Sequence, residues 1–224
     1  MSRETSARRH PFRNGLFSRG NRVVLTGFEP FGGAKVNSSQ RVAEALDGVV
    51  VAKLRIRSVV LPCRFGAAAA ALHRTIRQHR PALVICLGLA EKRRAITPEC
   101  LARNRVDARI PDNAGRQPRG QPVREGGPVT LRSGLPVAQL AAAMRAAGLP
   151  ARVSRSAGRF VCNEVFYRLM DSLPPRSGIR AGFIHLPLVR VRGHHGSGLS
   201  LTQLVRAIRI AIEVSAVAAK SRKK

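Results

Sequence analysis

Cys162, His185 and Glu99 lie far apart in a chain of 224 residues, yet together they supply a nucleophile, a proton carrier and an orienting acid. Cys162 follows residues 154–161 and opens a segment, 162–173, whose Val165, Phe166, Leu169, Met170 and Leu173 recur at helical spacing. A thiol at a helix N-terminus meets unpaired N–H groups and the positive end of the dipole, which favour thiolate. His185 lies on the apolar stretch 182–186, ended by Pro187. An imidazole there can accept the thiol proton and later give it to a leaving amine. Glu99 comes just after the apolar run 81–89 and its loop. A carboxylate can hold the imidazole in one tautomer and stabilise its cation. Each residue also has an ordinary structural reading. Buried cysteines pack as small hydrophobes, strand histidines are commonly satisfied core residues, and Glu99 has many arginines to pair with.

The elements that must position these groups alternate. Residues 22–26 read as a short buried strand, followed by the loop 27–33. Asn37 or Ser38 caps a helix through Leu46. Residues 49–61 are rich in β-branched types and form one long strand or a bent pair. Residues 66–80 are an Ala-rich helix stopped by Pro81, and 81–89 is a strand covered on both faces. Residues 98–128 are a long functional loop or a hairpin insertion. Further strands are expected at 129–131, 152–156 and 182–186. Further helices are expected at 137–147, 162–173 and 199–219. This order predicts a single α/β domain over 22–219, with a mostly parallel twisted sheet and helices on both faces. In such sheets reactive groups gather beyond the carboxyl ends of the strands. A disordered basic arm, 1–21, and a basic tail, 220–224, flank the domain.

Composition narrows the function classes. The net charge is +28, and only six of the 40 basic residues are lysines. Such a field attracts polyanions without sequence selectivity. Aromatic residues are only 4% and Trp is absent, so stacking platforms for single strands are lacking. The longest apolar stretch, 82–90, is far short of a membrane span, and no apolar segment follows the basic N-terminus as in a secretory signal. Four cysteines without a CxxC pair fit a reducing cytosol. No GxGxxG, P-loop or GxSxG motif is present. The loop 27–33 carries two phenylalanines and an acid, which suits a small apolar face better than a phosphate. His194 and His195 are metal ligands by type, but their glycine-rich surroundings favour a flexible loop, so no metal is expected.

Five segments in order resemble the pyroglutamyl-peptidase I (pyrrolidone-carboxylate peptidase) family of cysteine peptidases, over roughly residues 22–217. They are Leu25-Thr26-Gly27-Phe28-Glu29-Pro30-Phe31-Gly32-Gly33, Ile96-Thr97-Pro98-Glu99-Cys100-Leu101-Ala102-Arg103-Asn104, Asp107-Ala108-Arg109-Ile110-Pro111-Asp112-Asn113, Ser156-Ala157-Gly158-Arg159-Phe160-Val161-Cys162-Asn163 and Gly182-Phe183-Ile184-His185-Leu186-Pro187. The resemblance implies a cytoplasmic hydrolase that removes an N-terminal pyroglutamyl residue from peptides, without a cofactor. It implies Cys162 as nucleophile, His185 as base and acid, and Glu99 as the orienting carboxylate. Phe28, Phe31 and Phe160 would hold the lactam ring, the Leu89 backbone would bond the lactam amide, and Arg109 would polarise the scissile carbonyl. A homo-oligomer, dimer or tetramer, is implied too. The alternatives are a weakly active or altered-specificity member, or a polyanion-binding protein on the same scaffold. Two departures bear on this. The run Leu89-Ala90-Glu91-Lys92-Arg93-Arg94 replaces a polar residue and glycines, and Glu164 stands where the family often has histidine. Arg103, Arg105 and Arg159 add positive charge near the site, able to lower the thiol pKa or to pair with Glu99.

Overall fold

The computed structural model describes residues 20–174, 177–190 and 198–217. In chain order the elements are β1 (Arg22–Phe28), α1 (Ser38–Leu46), β2 (Val50–Val51), β3 (Leu54–Leu61), α2 (Ala67–His79), β4 (Leu83–Leu89), β5 (Thr97–Pro98), β6 (Leu101–Arg103), β7 (Thr130–Arg132), α3 (Val137–Ala146), α4 (Val161–Ser172), β8 (Arg180–Leu186) and α5 (Leu201–Val217). The main sheet runs β2-β3-β1-β4-β8-β5. Its four central strands are parallel, and the two-residue strands at each edge are antiparallel. All seven residues of β4 are buried, as a central strand covered on both faces requires.

Alternation along the strands divides the core. Val24, Phe28, Val84, Cys86 and Phe183 face α2 and α4. Val23, Leu25, Ile85, Leu87 and Ile184 face α1, α3 and α5. The single-domain α/β reading, with helices on both faces, describes this architecture. Asn37 is the N-cap of α1, its Oδ1 accepting from the Ser39 N–H at 3.0 Å. Residues 49–61 form the bent pair β2–β3, and residues 98–128 belong to a hairpin insertion closed by β6 against β7.

The expected strand at 152–156 is not formed. The segment touches 96–100 through isolated bridges, Ile96 to Ala151 and Glu99 to Ser154. Pro98 brings no N–H to that ladder, and the Ser156 N–H turns to the Ser154 hydroxyl instead. Asn21, placed in the basic arm from sequence, accepts from the Arg55 N–H at 2.8 Å and so already joins the sheet. Residues 1–19, the 220–224 tail, His194 and His195 lie outside the described residues. Among the described residues no helix is long and apolar enough to cross a membrane, and no group of three His, Cys, Asp or Glu side chains is arranged to hold a metal ion. The four cysteines are free thiols.

Candidate active site

The carboxyl ends of β4 and β8 converge on the N-terminus of α4. His185 lies opposite Gly88 on β4 and Thr97 on β5. The parity of β8 puts its ring on the same face as Phe183, whose centroid is 4.8 Å away. Cys162 is the second residue of α4. Its Sγ rests on β4 so closely that a Cβ built at Gly88 would come within 3.0 Å of it and within 2.9 Å of the Phe183 ring. Gly88 thus makes room for the sulfur on the strand beside His185. No side chain caps α4 at Phe160, which leaves the first N–H groups of the helix, Cys162 included, to the cavity.

Glu99 Oε1 lies 2.8 Å from His185 Nδ1, and Glu99 is completely buried. Its backbone N–H donates to Phe183 O at 2.9 Å, which fixes the residue against β8. Burial by itself raises the carboxyl pKa. The hydrogen bond and charge of His185, then Ser154 and Arg93, outweigh it and hold the group below the ordinary range. His185 is pushed below the ordinary imidazole value, first by burial and then by Arg93, with Glu99 opposing. The Cys162 thiol is pushed up, first by burial, then by Cys63, Glu99 and Cys86. At neutral pH the resting pair is therefore a thiol and a neutral imidazole, whereas the helix end alone had favoured thiolate.

Cys162 and His185 share one cavity of about 790 Å³ with Phe31, Leu89, Arg109 and Phe160. Phe31 and Phe160 lie tilted against each other at 5.6 Å, and Phe65 meets Phe160 edge-on at 5.3 Å, which braces the apolar wall. Phe28 does not line this cavity. It is 1% exposed and packs against Phe183 at 6.4 Å, because β1 continues through it and directs its ring into the core. The Ala90 N–H donates to Leu186 O at 2.8 Å. Strand alternation therefore turns the N–H and C=O of Leu89 the other way, past the end of the β1–β4 ladder at Thr26 and Cys86. Arg109 is exposed, and its guanidinium makes no hydrogen bond or ion pair among the described residues.

The charges flanking the site are arranged differently from their order in sequence. Arg159 pairs with Asp107 at 3.1 Å rather than with Glu99. Asn163 accepts from the Arg103 N–H and donates to the carbonyls of Arg103 and Arg105, each at 2.9 Å, so these residues serve through their backbone. Glu164 turns away from the sulfur. It accepts from the Gly66 N–H at 2.8 Å at the start of α2 and from Arg168 at 3.0 Å. Sequence reasoning missed Gly88 and Arg93. Arg93 reaches Glu99 Oε1, Thr97 Oγ1 and Ser156 O. The only sequence signal for it was a basic residue in the altered 89–94 loop.

Comparison with known proteins places the whole fold in one family. The model of the pyroglutamyl peptidase family matches residues 21–218. The pyrrolidone-carboxylate peptidase of Chromobacterium violaceum is 46% identical over 205 residues, covering 90% of this chain and 96% of the relative. That of Klebsiella pneumoniae is 44% identical over 196 residues, covering 86% and 92%. The crystal structure of Bacillus amyloliquefaciens pyroglutamyl peptidase I has a TM-score of 0.84 at 39% identity, covering 88% of this chain and 98% of that one. With a matching fold, a family model and close relatives that cover nearly the whole chain, the chain belongs to the pyroglutamyl peptidase family.

Proposed function

We propose that the protein removes an N-terminal pyroglutamyl residue from peptides by thiol chemistry. The observation that carries this reading is the Cys162 sulfur seated on Gly88, beside a His185 whose Nδ1 is held by Glu99 at 2.8 Å. Pyroglutamate is a flat, uncharged lactam with one donor and one acceptor. Phe31 and Phe160 offer faces that exclude water around such a ring, and the outward N–H and C=O of Leu89 complement the lactam amide. A site that pairs the lactam disfavours proline, whose ring leaves those groups unpaired.

In the reaction, Cys162 Sγ attacks the scissile carbonyl as His185 takes its proton. Glu99 holds Nδ1–H and stabilises the imidazolium that forms. The N–H groups at the start of α4 receive the developing oxyanion, and Arg109, on the wall of the same cavity, polarises the carbonyl. His185 then protonates the leaving amine. Water attacks the thioester, His185 takes the water proton, and pyroglutamate and the free thiol are released. The test is amine release from a pyroglutamyl arylamide, with the prolyl arylamide and Cys162→Ala as controls. Turnover of the first substrate alone, lost in the variant, is expected. No turnover by the folded protein would overturn the reading.

A further inference from the structure

We propose that Arg93 is a positioning residue for the Glu99–His185 pair, clamping the carboxylate, the strand beside His185 and the loop before the nucleophile helix in one guanidinium fork. The inference rests on the peptidase reading of the site. Arg93 Nη1 contacts both Glu99 Oε1 and Thr97 Oγ1, and Nη2 donates to Ser156 O at 2.8 Å. Thr97 is the register partner of His185, and its hydroxyl lies 3.4 Å from the His185 carbonyl. Ser156 belongs to the segment that leads into Phe160, the N-cap of α4. One planar group therefore joins three segments that must stay in register for sulfur, imidazole and carboxylate to meet. A lysine has the charge but not the fork.

The same placement sets the proton balance. Arg93 and His185 share one oxygen, Glu99 Oε1. Glu99 alone would favour the imidazolium, which cannot take the thiol proton. A permanent cation on the shared oxygen opposes that. The groups around His185 are Gly88 from β4, Thr97 from β5, Phe183 from its own strand, the charged Glu99 and Arg93, and Cys162 of α4 on the wall of the shared cavity. Arg159 does not duplicate the role, being engaged by Asp107.

The experiment compares Arg93→Gln and Arg93→Lys with the unsubstituted full chain. The readouts are the pH profile of kcat/KM on a pyroglutamyl arylamide and the pH profile of Cys162 alkylation by iodoacetamide, which needs no turnover. For Arg93→Gln the acid limb is expected to rise by about 1 pH unit in both readouts, with kcat lowered ~10–100-fold. For Arg93→Lys the acid limb is expected near that of the parent, with kcat still lowered ~10-fold because an ammonium cannot span Glu99 and Ser156 together. A glutamine variant whose limbs superpose on the parent in both readouts overturns the proposal. If that variant does not fold, a lysine variant with parental kcat overturns it. Absence of turnover in the parent sinks the peptidase reading instead, while the alkylation profiles still decide the role of Arg93.

Discussion

Gly88→Ala places a methyl group where the Cys162 sulfur rests. The added carbon would lie 3.0 Å from Cys162 Sγ and 2.9 Å from two atoms of the Phe183 ring. Comfortable carbon contacts begin at about 3.5 Å, so neighbours must retreat by about 0.5 Å or more. The strand cannot give way easily, because β4 is paired with β8 along its whole length and with β1 along its first half. Phe183 is 0% exposed and wedged between Phe28 and Phe166. The sulfur faces the cavity and is the softer partner, so it moves. Overpacking of this kind costs about 1–3 kcal/mol of stability, and a reacting atom displaced by about 1 Å loses roughly 100-fold in rate. The assay is kcat on a pyroglutamyl arylamide beside urea denaturation of the same preparations. The expected outcome is a folded protein with kcat down ~10–100-fold and a modest stability loss. A folded variant with parental kcat would refute the claim that Gly88 is the seat of the sulfur.

Three further outcomes follow from the same contacts. Phe31→Ala removes one face of the ring slot, and a rise in KM of about 10-fold with kcat less affected is expected from steady-state kinetics. Glu164→Ala strips the acceptor from the Gly66 N–H at the start of α2 and frees Arg168; denaturant titration should show a loss of about 1–2 kcal/mol with kcat/KM nearly unchanged. His185 sits below the ordinary imidazole value, mainly through burial, and must be neutral to act as base. Activity is therefore complete above its pKa and lost as the pH falls through it, so the acid limb of kcat/KM should lie below about 6.5; a limb above that value contradicts the assignment.

Legibility in the sequence followed the physics of each signal. Val165, Phe166 and Leu169 repeat at helical spacing, so the start of α4 and the place of Cys162 at it were readable. The wholly apolar β4, and the apolar run around His185 in β8, announced central strands, and their ends announced where a site would form. The 152–156 segment misled because its composition suits extended backbone, while its pairing depends on a proline in its neighbour and a serine that bonds its own turn. Phe28 was ambiguous for a similar reason. Its type fits a ring slot, but whether β1 ends before or after it decides between cavity and core. Arg93 stood within Glu91-Lys92-Arg93-Arg94, a charged run with no periodicity, and only the turn after β4, where the Arg93 N–H donates to Ala90 O, selects which cation points inward. Arg159 stood three residues from the nucleophile yet is claimed by Asp107. Gly88 left no trace at all, since a need for empty space is visible only once the sulfur is placed.

The resting state of Cys162 is a contest between burial and the helix end, and magnitudes decide it. A favourable charge at a helix terminus gains about 0.3–1 kcal/mol, rising to about 2 in partly buried geometries. Full burial can move an ionisable group by up to about 3–5 pH units, or roughly 4–7 kcal/mol. Cys162 is only 8% exposed and has the Glu99 carboxylate nearby, so burial wins and the thiol keeps its proton. Acidity therefore does not single out the nucleophile. Cys63 and Cys86 are likewise pushed up, each to about 12, Cys63 by burial with Glu29 and Asp112, Cys86 by burial, with the neighbouring Thr26 opposing. What Cys162 has and they lack is a place on the cavity wall with His185. A neutral imidazole, itself kept neutral by burial, lets the proton leave only as the sulfur attacks. Under the proposed mechanism the reaction never has to maintain a buried thiolate, and His185 rather than the helix dipole activates this cysteine.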